Sequence, residues 1–206
     1  MRKVFISTVP LQRINPDIPY VSEDFELGEK KFSLPITYLI DAETEMGDNI
    51  AVITAVMQKE APQAKYESFV SEVRECLKDR EVKIDFIEIK NTNIYDSLSF
   101  SDFFKQIASL IEDGDELYAD ITYGIKCYNI AMFIAMSYAT KAARDVSMNT
   151  LIYADLYSGD TAPGKQSTIM DVTSLFYLNS ITANARPGDK EKLDTLLAFI
   201  LPDENG

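Results

Sequence analysis

The stretch Ala119–Tyr128, ADITYGIKCY, decides how this chain is read. A short apolar segment ends at Ile121, a glycine follows, and a long apolar run begins near Ile125. That is the pattern of a buried strand turning sharply into a helix. Gly124 lets the backbone take a positive-φ turn and come close to a ligand. The helix beyond it offers unpaired N–H groups and the positive end of its dipole, and both favour an anion. Thr122 can cap the helix or bond that anion. Lys126 places a full positive charge in the first helical turn, where Asp or Glu is the usual choice. The plain alternative is a helix start with a solvated lysine, and the pattern alone fits both.

Outward from this turn, the chain alternates between strands and helices. Apolar runs predict strands over 3–8, 49–57, 82–89, 116–121, 149–156 and 168–172. The 82–89 run alternates apolar and charged residues, which suits a place nearer a sheet edge. Helices are predicted over 33–46, 61–80, 97–112 and 125–144. Tyr66, Phe69, Val70, Val73 and Leu77 line one face of the second helix, and Phe100, Phe103, Phe104, Ile107, Leu110 and Ile111 one face of the third. A Pro-rich loop (Pro10, Pro16, Pro19) follows the first strand, and a glycine-containing loop spans 158–166. A polar tail over 183–192 leads to a last apolar segment, 193–201. Helical crossovers between strands predict a three-layer α/β domain with a mostly parallel sheet. Such sheets bind ligands beyond the carboxyl ends of their strands, at the switch point between the first and fourth. Two loops therefore matter most: Ser7-Thr8-Val9-Pro10 and Asp120 to Lys126.

Composition narrows the chemistry. The 206 residues fit one domain, and 46% apolar content is enough for a sizeable core. With 20 basic against 33 acidic side chains the net charge is −13, which repels duplex DNA or RNA at long range. There is no histidine, which removes the commonest general base, the His-dependent nucleophile systems and His-ligated metals. No clustered carboxylate set has metal-ligand spacing, and no cofactor is called for. The first glycine is Gly28, so no dinucleotide fingerprint follows the first strand, and Gly164-Lys165 lacks the rest of a P-loop. Cys76 and Cys127, far apart and in apolar patterns, read as core thiols of a reduced, cytoplasmic protein. No signal peptide or membrane-length apolar run is present.

Asp120-Ile-Thr-Tyr-Gly-Ile-Lys126 resembles the D-[IL]-T-[HYG]-G-x-[RK] motif of CARF domains, the Rossmann-like sensors of type III CRISPR systems. Asp155-Leu-Tyr157 and Ile169-Met-Asp-Val-Thr173 are similar to the closing strands of the same family. Tyr123 stands where many members carry histidine. The resemblance covers about residues 3 to 180 and implies a Rossmann-like domain over 1–182, with 183–206 a linker and helical tail. It implies a cyclic oligoadenylate ligand, tetra-adenylate before hexa-adenylate, held across a homodimer formed around the two loops. The residues carried over are Ser7, Thr8 and Val9 from the first loop, and Asp120, Thr122, Tyr123, Gly124, Ile125 and Lys126 from the second. Lys165 is a further candidate contact.

Three functions fit that resemblance. One is a sensor whose effector domain lies outside this chain. Another is a metal-independent ring nuclease, in which Lys126 stabilises charge and Ser7 orients the reacting ribose or phosphate. The third, a helix-turn-helix regulator, is weak, because the last residues are too few and too acidic. A HEPN ribonuclease site is excluded, since its arginine–histidine pattern needs a histidine.

Overall fold

The apolar runs form strands, and all of them join one sheet. The structure, a computed structural model, describes residues 1–11, 19–57, 60–91, 97–156, 166–186 and 188–200. In chain order the elements are β1 (Arg2–Thr8), β2 (Tyr20–Val21), α1 (Pro35–Glu43), β3 (Asn49–Met57), α2 (Glu60–Leu77), β4 (Lys83–Asn91) and α3 (Ser97–Leu110). Then follow β5 (Asp115–Asp120), α4 (Lys126–Ala142), β6 (Ser147–Asp155), β7 (Ser167–Asp171), α5 (Thr173–Asn184) and α6 (Lys190–Ile200). The sheet order is β2-β7-β6-β5-β1-β3-β4. Strands β4, β3, β1, β5 and β6 are parallel, β7 is antiparallel to β6, and β2 is parallel to β7. With β2 set aside, this is the doubly wound order of a Rossmann-like sandwich with its last strand reversed.

The central strands are buried on both faces, which is why they read as continuous apolar runs. On one face Phe5, Val52, Tyr118 and Ile152 join Ile36 and Leu39 of α1 and Phe69 and Val73 of α2. On the other, Ile6, Ile53, Leu117 and Leu151 join Phe103 and Ile107 of α3, Met132 and Met136 of α4, and Phe176 of α5. Strand β4 takes the sheet edge, as its alternation predicts.

Local differences have local causes. The first helix begins at Pro35 rather than 33, because proline suits the first helical turn, where its missing N–H is not needed. It ends at Glu43, and Gly47 sits in the following turn at φ +82°. Strand β2 lies inside the Pro-rich loop, where its two residues are too few for a pattern. Helix α5 follows the Asp171-Val-Thr173 segment, was not among the helices read from periodicity, and runs across the expected boundary at 182. Cys127 is not a core thiol: it is exposed on the outward side of α4, because the sheet covers only the face of Tyr128, Met132, Ala135, Met136 and Ala139. Cys76 is half-buried and its Sγ donates to an Asp41 oxygen 3.3 Å away. Lys165 and Tyr157 lie outside the described residues, as does most of the 158–166 loop. Among the described residues no helix is long and apolar enough to cross a membrane.

Candidate functional site

The β1 and β5 ends meet at the switch point, and one contact fixes them together. Gly124 has φ +98°, and a Cβ built on it would lie 2.6 Å from Thr8 Oγ1 and 3.0 Å from Thr8 Cβ. Glycine is therefore required twice, for the backbone angle and for the space. Thr8, itself buried, donates its hydroxyl hydrogen to the carbonyl of Tyr123, so the strand-one loop clasps the turn from both sides.

Beyond the turn, Ile125 is the N-cap of α4, and no side chain caps the helix. Asn129 spends its amide on the carbonyl of Ile121 at 2.7 Å, tying the first turn of the helix back to β5. The first turn contains no acidic residue and opens with Lys126, which is exposed and makes no ion pair among the described residues. The amino end of α4 thus offers uncapped N–H groups and the positive end of the helix dipole, with an exposed lysine as its first residue. The cleft beside it, lined by Thr8, Val9, Leu11, Gly124, Ile125 and Tyr128 among others, has a volume of about 20 Å³. That is room for one water, not a nucleotide.

Asp120 and Ser7 do not reach this spot. Side chains alternate along β1 and β5, and both residues share the parity of Phe5 and Tyr118, on the α1–α2 side of the sheet. Asp120 is 2% exposed and accepts the Thr122 N–H at 2.8 Å. The backbone of Ile36, in the first turn of α1, and the Thr122 side chain favour its charged form. Burial pushes its carboxyl up to about 6, against the lowering effect of those donors.

Thr122 is occupied as well: its Oγ1 accepts the Ala154 N–H at 2.8 Å and so joins the turn to β6. The Tyr123 ring is buried, with its hydroxyl 2.9 Å from that of Tyr20 in β2, and burial raises both phenols. Val9 is buried, and its N–H bonds Ala55 O at 3.0 Å, which extends the β1–β3 pairing past the strand. Of the residues read from sequence, then, Thr8, Val9, Gly124 and Ile125 line the cleft, and Lys126 follows Ile125 on the exposed first position of α4, outside that lining. Asp120, Thr122 and Tyr123 brace the turn from behind, and Ser7 lies across the sheet from it.

Two features escaped sequence reasoning. Lys65 of α2 reaches over the first loop, with Nζ 3.0 Å from Pro10 O and 3.4 Å from Leu11 O, and burial lowers its pKa. It lies in the polar half of a helical pattern, which carries no signal of its destination. The second is a polar row. Ser7 is in register with Thr54 of β3, and Thr54 with Glu88 of β4. Ser7 Oγ, Thr54 Oγ1 and Glu88 Oε1 are buried without hydrogen-bond partners among the described residues. The signal was present as a polar residue in the carboxyl-terminal half of each of three neighbouring strands.

Comparison with models of known families gives no match, and no curated protein compared with this chain is similar to it.

Proposed function

We propose that this chain binds a cyclic oligoadenylate, tetra-adenylate before hexa-adenylate, across a two-fold dimer, as the sensing module of a type III CRISPR antiviral response. The observation that carries this reading is the uncapped, acid-free amino end of α4, clasped at the switch point by the Thr8–Gly124 contact and opened by Lys126. In a chain of net charge −13, such a spot is where a small anion finds local attraction. The identity of the anion rests on the resemblance of residues 120–126 and 169–173 to CARF motifs. A single cleft of about 20 Å³ leaves a ring of phosphates on the surface, so a second subunit is needed to complete the cradle.

Ring cleavage would use the same groups. A ribose 2′-OH would attack the adjacent phosphorus, the bond to the 5′ oxygen would break, and that oxygen would take up a proton. Lys126 and the α4 N–H groups would hold the growing negative charge. Asp120 and Ser7, which could relay the proton, are turned into the core, and this favours binding over turnover.

The test is calorimetry and thermal melting with cyclic tetra-adenylate, followed by chromatography of the ligand after hours in EDTA. The expected result is binding, a raised Tm and an intact ring. Absence of binding by any cyclic oligoadenylate would refute the reading. Cleavage in EDTA, leaving 2′,3′-cyclic phosphate ends, would replace the sensor with a ring nuclease.

A further inference from the structure

Three neighbouring strands set a polar side chain at one level of the sheet. Ser7 of β1 pairs in register with Thr54 of β3, and Thr54 with Glu88 of β4. Asp120 of β5 comes next in line, one residue past the last β1–β5 pair, Ile6 with Ala119. All four share the parity of Phe5, Val52, Phe86 and Tyr118, so they face the α1–α2 side. Thr54 sits between Val52 and Val56 on that face, and both valines are buried.

Burial keeps bulk solvent from the row. Ser7 is 2% exposed and Thr54 0%. Ser7 Oγ, Thr54 Oγ1 and Glu88 Oε1 have no hydrogen-bond partner among the described residues, while Glu88 Oε2 lies 3.6 Å from Lys90 Nζ. Buried polar atoms in folded proteins are nearly always bonded, to protein or to ordered water. Each one left unbonded forfeits its hydration, and three such losses would consume much of a domain's stability.

Strand spacing indicates what completes the row. Neighbouring strands run about 4.8 Å apart, and two hydrogen bonds of about 2.8 Å meeting at a water oxygen span roughly 4.5 Å. The hydrogen count agrees. As carboxylates, Glu88 and Asp120 only accept, and each hydroxyl has a single hydrogen to give. Once Thr54 gives its hydrogen towards Glu88 and Ser7 gives its own towards Asp120, the gap between the hydroxyls is flanked by acceptors alone. Only a group with two hydrogens to give closes it. The smallest such group is water, the usual occupant of buried polar sites.

We propose that Ser7 and Thr54 hold an ordered water molecule between them, joining Asp120 to Glu88 in one hydrogen-bonded row across four strands. The row begins behind the turn of the candidate site and ends at the β4 margin of the sheet. It gives Ser7 a task inside the fold, with its hydroxyl held by neighbours in the sheet and withheld from the cleft. Register, burial and hydrogen count carry this inference, and it is independent of the ligand proposed above.

Water ¹⁷O relaxation dispersion on the full chain tests it, because it counts long-lived water and is unaffected by proton exchange from the hydroxyls. Thr54→Val removes the hydroxyl at nearly constant volume and should cost at least one long-lived water molecule. Thr54→Ser keeps the hydroxyl and should retain that water. In urea, Thr54→Val should lower the folding equilibrium constant about 5–30-fold, although valine is the more apolar residue. An unchanged water count in Thr54→Val overturns the inference, since the hydroxyl then bonds only to protein atoms or to nothing. So does a Thr54→Val protein at least as stable as wild type, because an orphaned hydroxyl is lost without cost. Ser7→Ala carries the same two readouts where Thr54→Val misfolds. It should lose the same water, and the double variant should lose no more than either single one; a double variant that loses twice as much overturns the shared site.

Discussion

Gly124→Ala sets a methyl group 2.6 Å from Thr8 Oγ1 and holds an alanine at φ +98°. The backbone angle lies in a sparsely populated region for a residue with a Cβ, at a cost of about 1–3 kcal/mol. Relief of the contact requires Thr8 to move, which breaks its hydrogen bond to Tyr123 O, worth about 0.5–1.5 kcal/mol. The sum is a destabilisation of about 2–4 kcal/mol, read as a fall in the urea midpoint with an unchanged m-value. The two contributions separate in a double-mutant cycle. Thr8→Ala removes the hydroxyl and Cγ2, so Gly124→Ala should cost about 1 kcal/mol less in that background than in wild type, because the shared hydrogen bond is already gone. A Gly124→Ala protein within about 0.5 kcal/mol of wild type, or one strictly additive with Thr8→Ala, would show that the two loops are not clasped here.

Other consequences follow from the same turn. Lys126→Ala should leave the urea midpoint unchanged, because the side chain is exposed and unpaired among the described residues, yet weaken cyclic tetra-adenylate binding by roughly 10–150-fold in calorimetry. Asp120 has a folded pKa of about 6 against an ordinary 3.8, so the native state binds more protons than the unfolded chain between those values. Its contribution to stability is full below pH 3.8 and is lost as pH rises through 6. Asp120→Asn should therefore remove about 2–3 kcal/mol of pH dependence across that window, seen as converging urea midpoints at low pH, whereas parallel profiles would contradict the buried ionised acid. Tyr20→Phe removes the partner of the Tyr123 hydroxyl and should cost about 1 kcal/mol, with faster hydrogen exchange confined to β2 and its pairing with β7.

The sheet was legible because burial on both faces forces unbroken apolar runs such as KVFIS and NIAVITAVM, and those runs survive any detail of packing. The turn at Gly124 was legible for a similar reason: few residues besides glycine fit a positive φ. Its partner Thr8 was not, because their contact joins two chain segments whose adjacency is set only by sheet order. The direction of Asp120 depends on strand parity, so the acid read as a ligand contact is turned into the core on the α1–α2 side of the sheet. Cys127 misled for the opposite reason. A helix apolar all round reads as buried all round, and Ile130, Ile134 and Tyr138 on the outward side of α4 are exposed among the described residues. Helix α5 left little signal, since among its residues only Thr173 and Phe176 are buried.

The two margins of the sheet bear on how such molecules can accumulate safely. One margin is β2, a strand of two residues; the other is β4, whose outward-pointing Lys83 and Asp85 are exposed. A very short strand offers too few free backbone groups to recruit a neighbour, and charged side chains along an edge make a flat β contact unfavourable. Growth of the sheet from molecule to molecule, the route to fibres, is therefore obstructed at both ends. What remains open to contact is helical surface, whose backbone groups are already paired within each helix and offer no ladder for a neighbouring strand to extend.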